Sequence, residues 1–454
     1  MMASDVDVDV AVVGAGAAGL AAATVLRAAG REVLVFEAEA RAGGSARTER
    51  RDGYLVERGA NTFRLGPGAL AFLRGAGLES LALAASPASR ERFLLRGDRL
   101  VPVPMGPLEL VRTPLLSGRG KLRLLAEPFL RRGNPSGESV AEFAARRLGP
   151  EVVSALIGPF LTGVYAGDET RLGAEAVFPS LVAAERRSGS IVRGMLAAAF
   201  ERGRPRGRAG SWSTADGLEG LLEPLASALG ASLRVQHRVL EIRFEEGIYH
   251  IEIEGRSSFR ARGLVVALPA PIAAGLLDGL EPEAARELAT IEYAPVASVS
   301  VGVDPGTLRE RLRGFGFLVP RGEGEALLGG LFLSVLFPGR APAGRELVTM
   351  LAGGSRRPDL LAEPDDRLSA MLLRDLDAAL GLRGDPEPLG IARWPRAVPQ
   401  PGRHHVSLVT SVRTRLARFP RLALAGAAYD GVAFGDALAS GAGAGEQLAS
   451  EEFR

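Results

Sequence analysis

The chain has 454 residues, 46% hydrophobic and 24% charged, with a net charge of only +2; this is enough apolar content for a large core and a length of roughly three domain-equivalents. It contains no cysteine, which excludes disulfides, thiolate metal sites, a cysteine nucleophile and a cysteinyl-linked cofactor. Lys121 is the only lysine among 55 basic residues, so the pI near 9.3 is an arginine effect of overall composition rather than a nucleic-acid footprint.

The first ten residues, MMASDVDVDV, are acidic where a signal peptide is basic. No run reaches the ~18 uncharged apolar residues that a spanning helix requires, and the longest candidate, Gly263–Leu277, contains two prolines. An intracellular protein with at most peripheral membrane contact is expected. Val8–Val13 predicts a short buried strand, Gly19–Ala29 a small-residue helix and Glu32–Phe36 a second strand. Between the first two lies G-x-G-x-x-G, at Gly14, Gly16 and Gly19. With 58 glycines in the chain, about one chance match to that pattern is expected, so the strand–turn–helix–strand context carries the reading. In that context Gly14 permits the tight turn, Gly16 lets backbone approach a diphosphate, and Gly19 lets helix and strand pack closely. The helix N-terminus offers N–H groups to the phosphates. Glu37, 23 residues after Gly14, closes the second strand where an acidic group can accept from ribose hydroxyls.

Further on, Leu78–Ala85 and Leu221–Leu229 read as apolar helical patches, and Asp98–Gly133 alternates arginine-bearing with leucine-rich pieces. The arginine-rich tail of Arg186–Arg208 reads as a solvated loop, without the interleaved aromatics of a nucleic-acid site. Leu233–Arg243 and Gly247–Glu254 alternate as the strands of a hairpin, followed by a buried strand at Gly263–Leu268. Ser298–Val303, Gly316–Val319, Ala326–Val335 and Glu346–Leu351 are further strand candidates, with a helix at Arg367–Leu380. Arg421–Ala425 is a last buried strand, running through Gly426 into a small-residue helix. There are no internal repeats. None of His237, His250, His404 and His405 stands in a ligand spacing, so no metal is expected. Nucleotide-binding pieces thus fall at the start, middle and end of the chain, with other domains inserted into one discontinuous core. The start alone does not separate NAD from FAD. Arg41, Gly43 and Gly44 directly after the second strand, and the C-terminal strand–Gly–helix, favour FAD.

Taken together, VAVVGAGAAGLAAA, EARAGGSA, YLVERGANTF, ERFLLRGDRLVPVP, LTGVYAGDETRLGAEAVFPSLVAAE, GFGFLVP, LLGGLF, GGSRRPDL, RWPRAVPQ and AYDGVAFGDALASG occur in order from residue 8 to about 445. Over that span the chain resembles the oxygen-dependent protoporphyrinogen oxidases of the flavin amine oxidase and phytoene desaturase superfamily. The resemblance implies an α/β multidomain fold. A discontinuous Rossmann-like FAD-binding domain of the p-hydroxybenzoate hydroxylase type would comprise residues 1–85, 233–290 and 399–454. A mixed-sheet substrate domain would comprise 86–106, 193–232 and 291–398, and a helical membrane-associating domain 107–192. The leucines and arginines of LELVRTPLLSGRGKLRLLAEPFLRR, with no acidic run, agree with a helix lying in an anionic interface.

By the same resemblance the activity would be oxidation of protoporphyrinogen IX to protoporphyrin IX, with six electrons leaving in pairs and oxygen reduced to peroxide. Non-covalent FAD is implied at Gly14, Gly16, Ala17, Ala18, Gly19, Glu37, Ala38, Arg41, Gly43, Gly44, Ser45, Val239, Trp394, Gly426, Ala427, Gly431, Val432 and Ala433. Arg92 matches the arginine that pairs with a propionate. Asn61 falls at a polar edge of the substrate, and the Gly163 carbonyl faces the reacting ring. Leu318 and Leu328 match residues that sandwich one ring, and Leu351 stands where some relatives carry phenylalanine. The pattern departs from many relatives at Ala427, where they have asparagine, and at Ala437, where they have cysteine. A homodimer, peripheral on the cytoplasmic face of the cell membrane and without nucleic acid, is implied. Three alternatives remain at this point: a coproporphyrinogen III oxidase of the same fold, another flavin amine oxidase or desaturase, and a binding protein that has lost its flavin. Intact Gly14, Gly16, Gly19 and Glu37 argue against the last, and an aromatic content of 6% against an amine oxidase cage.

Overall fold

A computed structural model describes residues 6–200, 207–324 and 326–452. Residues 201–206 of the expected solvated loop lie outside the described residues. The chain opens with β1 (Val8–Val13), α1 (Ala17–Ala28) and β2 (Val33–Phe36), the two strands parallel and in register at Val10↔Val33 and Val13↔Phe36. The run Val10–Val13 is buried on both faces, as parallel strands are. These strands belong to a seven-stranded sheet. In it, Phe259–Val266 pairs parallel with β1 on one side and with Leu422–Leu424 on the other. The antiparallel hairpin of Val239–Glu245 and Ile248–Ile253 extends it, and Leu233–Arg234 lies outside β2. One face packs against α1, the helix Glu219–Leu229 and the C-terminal helix Phe434–Ala449. The other packs against the helices Ala270–Leu277, Pro282–Ala289 and His405–Leu416.

A second seven-stranded sheet runs in the order Glu387–Pro399, Tyr293–Val303, Glu346–Gly353, Leu327–Phe332, Gly316–Leu318, Phe93–Arg96, Arg99–Pro102. It is antiparallel except between Gly316–Leu318 and Phe93–Arg96, so it is mixed. One of its faces is covered by the helix Asp365–Leu380, through Leu368, Leu372 and Leu376. A three-stranded sheet of Phe63–Leu65, Arg208–Ser213 and Leu83–Ala84 lies beside the first core. From Pro107 to Phe200 the chain is helical, around small apolar clusters such as Phe143, Ala174, Val182 and Ile191.

The fold is mixed α/β, as expected, with local differences. Leu78–Ala85 is not a helix but a single 3-10 turn and the two-residue strand Leu83–Ala84; Leu81 and Leu83 are exposed, so no apolar helix face existed to bury. Leu233–Arg243 is broken at Gln236, whose φ of +56° turns the chain from the β2 edge into the hairpin. The strand expected over Ala326–Val335 ends at Phe332 and becomes a helical turn. The unexpected strand Glu387–Pro399 carries Pro388, Pro395 and Pro399; it is tolerated because it is the edge of its sheet, where missing N–H groups break no ladder. The helix Ile191–Phe200 crosses the expected boundary at residue 192, and Leu221, Leu222 and Leu225 pack into the first core rather than beside the second sheet.

Candidate functional site

The glycine turn is built as its spacing requires. Gly14 has φ +100°, and a Cβ there would lie 2.6 Å from the Ala267 carbonyl oxygen. A Cβ at Gly19 would strike the Gly14 carbonyl, so β1 and α1 close on each other only through glycine. Gly16, by contrast, opens onto free space. It is the N-cap of α1, with no side-chain cap and no acidic residue in the first turn. The N–H groups there, including those of Ala17 and Ala18, have no intrahelical acceptor and face outward as an anion site. Glu37 reaches back to this turn: Oε2 accepts Ala15 N–H at 2.8 Å and Oε1 accepts Glu39 N–H at 2.9 Å, over Ala38. Val239 sits nearby, because His237 N–H donates to the Glu37 carbonyl at 2.8 Å just ahead of its strand.

The next loop folds over the turn. Gly43 N–H donates to the Ala15 carbonyl at 2.8 Å, and a Cβ on Gly44 would stand 3.2 Å from Gly16 Cα. The Arg41 guanidinium is held within the loop. Its donors go to the Ala42, Gly44 and Ala46 carbonyls and to Glu219 at 2.8 Å, which makes it a brace for the loop. The Ser45 carbonyl packs against Gly59, and Gly59 against the Trp394 ring. Trp394 Nε1 donates to the Arg58 carbonyl at 2.6 Å, and Ser298 Oγ to the same oxygen at 3.3 Å.

At the chain's end, Gly426 has φ +134° and precedes the short helix Ala427–Asp430. Gly426 N–H donates to Ser440 Oγ at 2.9 Å, and that hydroxyl donates to Asp430 at 2.6 Å. The turn is therefore anchored without the asparagine that Ala427 replaces. Gly431 and Val432 lead into Ala433, the N-cap of the last helix, whose N–H donates to Asp436 at 3.3 Å. The Asp436 carboxyl is held above its usual range by burial, against the opposing pull of Arg64.

The second sheet presents one face to this region. Phe93, Phe317, Leu327 and Met350 point into its core, so by strand alternation Arg92, Leu94, Leu318 and Leu351 point the other way. Leu328 is the extra residue where the register slips between Leu327 and Gly329. Leu351 pairs with Ser298, placing it on the face that carries Ser298 and Trp394. Gly163, in the helix Gly158–Tyr165, lies directly on Leu318: a Cβ there would overlap its methyls. The end of that helix is pinned by Gln400 Nε2 on the Tyr165 carbonyl at 2.8 Å and by Ser355 N–H on the Ala166 carbonyl at 2.8 Å. One buried acceptor here lacks a partner, and one cation meets a backbone carbonyl, Arg92 Nη1 donating to Arg90 at 3.4 Å. Asn61 Oδ1 is buried and accepts no hydrogen bond, its Nδ2 being spent on the Gly59 carbonyl at 3.2 Å. Arg92 lies over the Phe315 ring, 4.8 Å from its centroid, and no carboxylate meets it among the described residues. Burial first, and then the charge of Arg64, hold its pKa below the ordinary arginine value.

A sequence profile described as flavin containing amine oxidoreductase matches residues 17–449. The chain belongs to that family. It is an oxidoreductase, and its cofactor is FAD. The chloroplastic protoporphyrinogen oxidase of Nicotiana tabacum is 35% identical over 421 residues, covering 87% of this chain and 76% of the relative. The coproporphyrinogen III oxidase of Bacillus subtilis is 28% identical over 465 residues, covering 96% and 97%. A crystal structure from Exiguobacterium sp. 255-15, provisionally assigned as a protoporphyrinogen oxidase, superposes with a TM-score of 0.83 at 27% identity over all of both chains. The turn fits the flavin dinucleotide on its own geometry, since Gly16 opens onto space, α1 is uncapped and Glu37 stands beside the turn. Motif reasoning missed Ser440, Ser298 and Phe315, which meet the site residues only through the fold.

Proposed function

We propose that the protein oxidises a porphyrinogen, protoporphyrinogen IX to protoporphyrin IX, with three O2 reduced to three H2O2. The observation that carries this reading is one sheet face that joins a leucine wall to a half-buried arginine with no carboxylate. A flat apolar macrocycle bearing propionates has that shape and charge. In this reading Leu318, Leu328 and Leu351 hold the macrocycle and exclude water, and Gly163 lets the backbone of its helix lie against it. Asn61 Oδ1, an acceptor without a donor, takes a pyrrole N–H. Arg92 binds a propionate bidentately and so fixes which edge of the ring enters. FAD, held at Gly14–Gly19, Glu37, the Gly43–Ser45 loop and Gly426–Ala433, supplies the two-electron acceptor for each of three oxidations. The task left to the chain is positioning, which needs no serine triad or histidine base.

The resemblance-based domains belong to the same proposal: an FAD-binding part around the first sheet, a substrate part around the second, and a membrane-facing helical part. The last is supported by exposed Met105, Leu108, Leu122, Leu125, Phe129, Met195 and Phe200, side chains that bury nothing in the monomer. Location at the cytoplasmic face of the cell membrane, and a homodimer, complete it; light scattering at twice the chain mass tests the dimer. The activity is tested by adding protoporphyrinogen IX anaerobically to the purified holoprotein. The flavin band should bleach, and protoporphyrin fluorescence and peroxide should follow on admitting oxygen. Faster bleaching by coproporphyrinogen III selects the four-propionate substrate instead, and bleaching by neither refutes the reading.

A further inference from the structure

Behind the loop that folds over the glycine turn lies a buried carboxyl that the proposed chemistry does not use. Glu57 ends the strand Tyr54–Glu57. Its Oε1 accepts the Leu218 N–H at 2.9 Å and its Oε2 the Thr48 hydroxyl at 2.8 Å. Thr48 stands opposite it on the strand Thr48–Arg51, and the same hydroxyl accepts the Glu219 N–H at 3.2 Å. The Thr48 N–H donates to Glu219 Oε2 at 2.9 Å, and Glu219 Oε1 takes Arg41 at 2.8 Å. Arg41 in turn holds the Ala42, Gly44 and Ala46 carbonyls of the loop, whose Gly44 lies against Gly16. A Cβ at Gly217, where φ is +89°, would strike the Thr48 hydroxyl, so this chain of contacts closes only over a glycine. A continuous run of hydrogen bonds thus joins a buried acid to the loop. A cavity of about 500 Å³, lined by Ala42, Gly43, Thr48, Asp216 and Glu219, lies beside it and gives Glu219 and the loop room to move.

We infer that Glu57 is a positioning residue for the cofactor: its charge state, passed through Thr48 and Glu219 to Arg41, sets how firmly the 42–46 loop closes on FAD. This rests on the placement of FAD under that loop proposed above. The ionised carboxylate accepts on both oxygens, and both hydrogen bonds stand. The protonated carboxyl must also donate. It faces the Leu218 N–H, the Thr48 hydroxyl and Arg340 Nη1, which lies 3.4 Å from Oε1. Of these only the hydroxyl accepts, and it already takes the Glu219 N–H. A proton on Glu57 therefore displaces Thr48 or Leu218, and both are fastened to Glu219. Arg340 and Glu219 are the charges that act on Glu57; Arg50 and Asp216 act on Arg340, and the neighbouring Arg58 is spent on Glu49. Burial pushes the Glu57 carboxyl up to about 7 against the pull of Arg340, so its proton exchanges near neutral pH. Above that value the relay is intact and the loop is held. FAD then binds the ionised form more tightly, and by linkage its binding expels a proton from Glu57.

The test strips flavin from the full chain and titrates FAD back between about pH 6 and about pH 8. Protons are counted by calorimetry in buffers of different ionisation enthalpy; FAD itself has no group that titrates in this range. Wild type should bind FAD about tenfold more weakly at the acid end, the coupling of one hydrogen bond to a charged group, and should release a proton on binding near neutral pH. E57Q should show neither effect. T48V keeps the acid and cuts the relay: FAD affinity should no longer vary with pH and no proton should be released, while melting of the stripped protein keeps its wild-type pH dependence. T48S, which retains the hydroxyl, should restore both effects. A pH-independent affinity in wild type, or a proton release that survives in E57Q or T48V, overturns the relay. G16A is titrated alongside. Weak FAD binding in G16A with a flat pH profile in wild type refutes the relay alone, whereas full FAD affinity in G16A refutes the placement on which it rests.

Discussion

Replacing Glu37 with glutamine tests whether the acidic end of β2 acts on the cofactor through the glycine turn. The carboxylate accepts two backbone N–H groups, Ala15 at 2.8 Å and Glu39 at 2.9 Å, one on each oxygen. Glutamine offers one acceptor oxygen and an amino group that only donates. One of the two N–H groups would then face a donor, and an unsatisfied group of this kind costs about 1–3 kcal/mol. The Ala15 carbonyl holds Gly43 N–H at 2.8 Å, so a displaced Ala15 also moves the loop that folds over the turn. Converted at ~1.4 kcal/mol per decade, E37Q should bind FAD about 5- to 150-fold more weakly. The assay is to strip the flavin, titrate it back and follow the quenching of its fluorescence. kcat measured at saturating FAD should fall much less than affinity. An FAD affinity equal to wild type, accompanied by a lower melting temperature of the stripped protein, would refute the reasoning and make Glu37 a structural brace only.

Gly16→Ala and Gly19→Ala should fail differently. G16A, whose Cβ meets nothing and whose backbone is extended, should fold with the wild-type melting temperature but purify with little flavin. G19A drives a Cβ into the Gly14 carbonyl and should lose folded protein itself; flavin content in G16A equal to wild type would count against the anion site at the start of α1. Glu57, buried between Thr48, the Leu218 N–H and Arg340, has its carboxyl pushed up to about 7, chiefly by burial, against the opposing charge of Arg340. The folded state therefore binds this proton more tightly than the unfolded chain, and this group's contribution to stability falls as pH rises from about 4.5 to about 7. Melting curves across that range should lose part of their slope in E57Q; an unchanged slope places the titration elsewhere. Leu122→Glu combined with Phe129→Glu should reduce sedimentation with phosphatidylglycerol vesicles and leave turnover of detergent-dispersed substrate intact. Undiminished sedimentation would put the membrane-facing surface somewhere else.

The nucleotide turn was legible in the sequence because it is local: Gly14, Gly16, Gly19 and Glu37 lie within one β–α–β unit, and each has a steric or hydrogen-bonding duty there. The strand Glu387–Pro399 was not legible, since its prolines deny it the look of a strand and only its place at a sheet edge permits them. The partner of Arg41 was not legible either: Glu219, far along the chain, meets its guanidinium. Leu318, Leu328 and Leu351 read singly as strand core. Pairing Leu318 with Gly329 and Gly329 with Leu351 puts two ordinary leucines on one face of the sheet.

The nucleotide turn and the second sheet are joined through the backbone of Arg58 and Gly59. The Arg58 carbonyl receives both Ser298 Oγ and Trp394 Nε1, tying it to the second sheet, while Gly59 rests on the Ser45 carbonyl, tying the next residue to the loop over Gly16. The Arg58 guanidinium is itself spent on Glu49 at 2.6 Å and on the Leu389 carbonyl at 2.9 Å, so this crossing cannot slide along the edge strand without breaking both. A side chain at Gly59 would enter the Ser45 carbonyl and push this crossing apart. In the proposed function the flavin and the porphyrinogen would have to be held at a fixed separation, so a displaced crossing at Gly59 would lower the rate. Gly59→Ala should therefore lower kcat while changing neither the carboxylate preference at the mouth of the slot nor the contacts of FAD at Gly16; equal losses in all three would mean that the crossing simply unfolds.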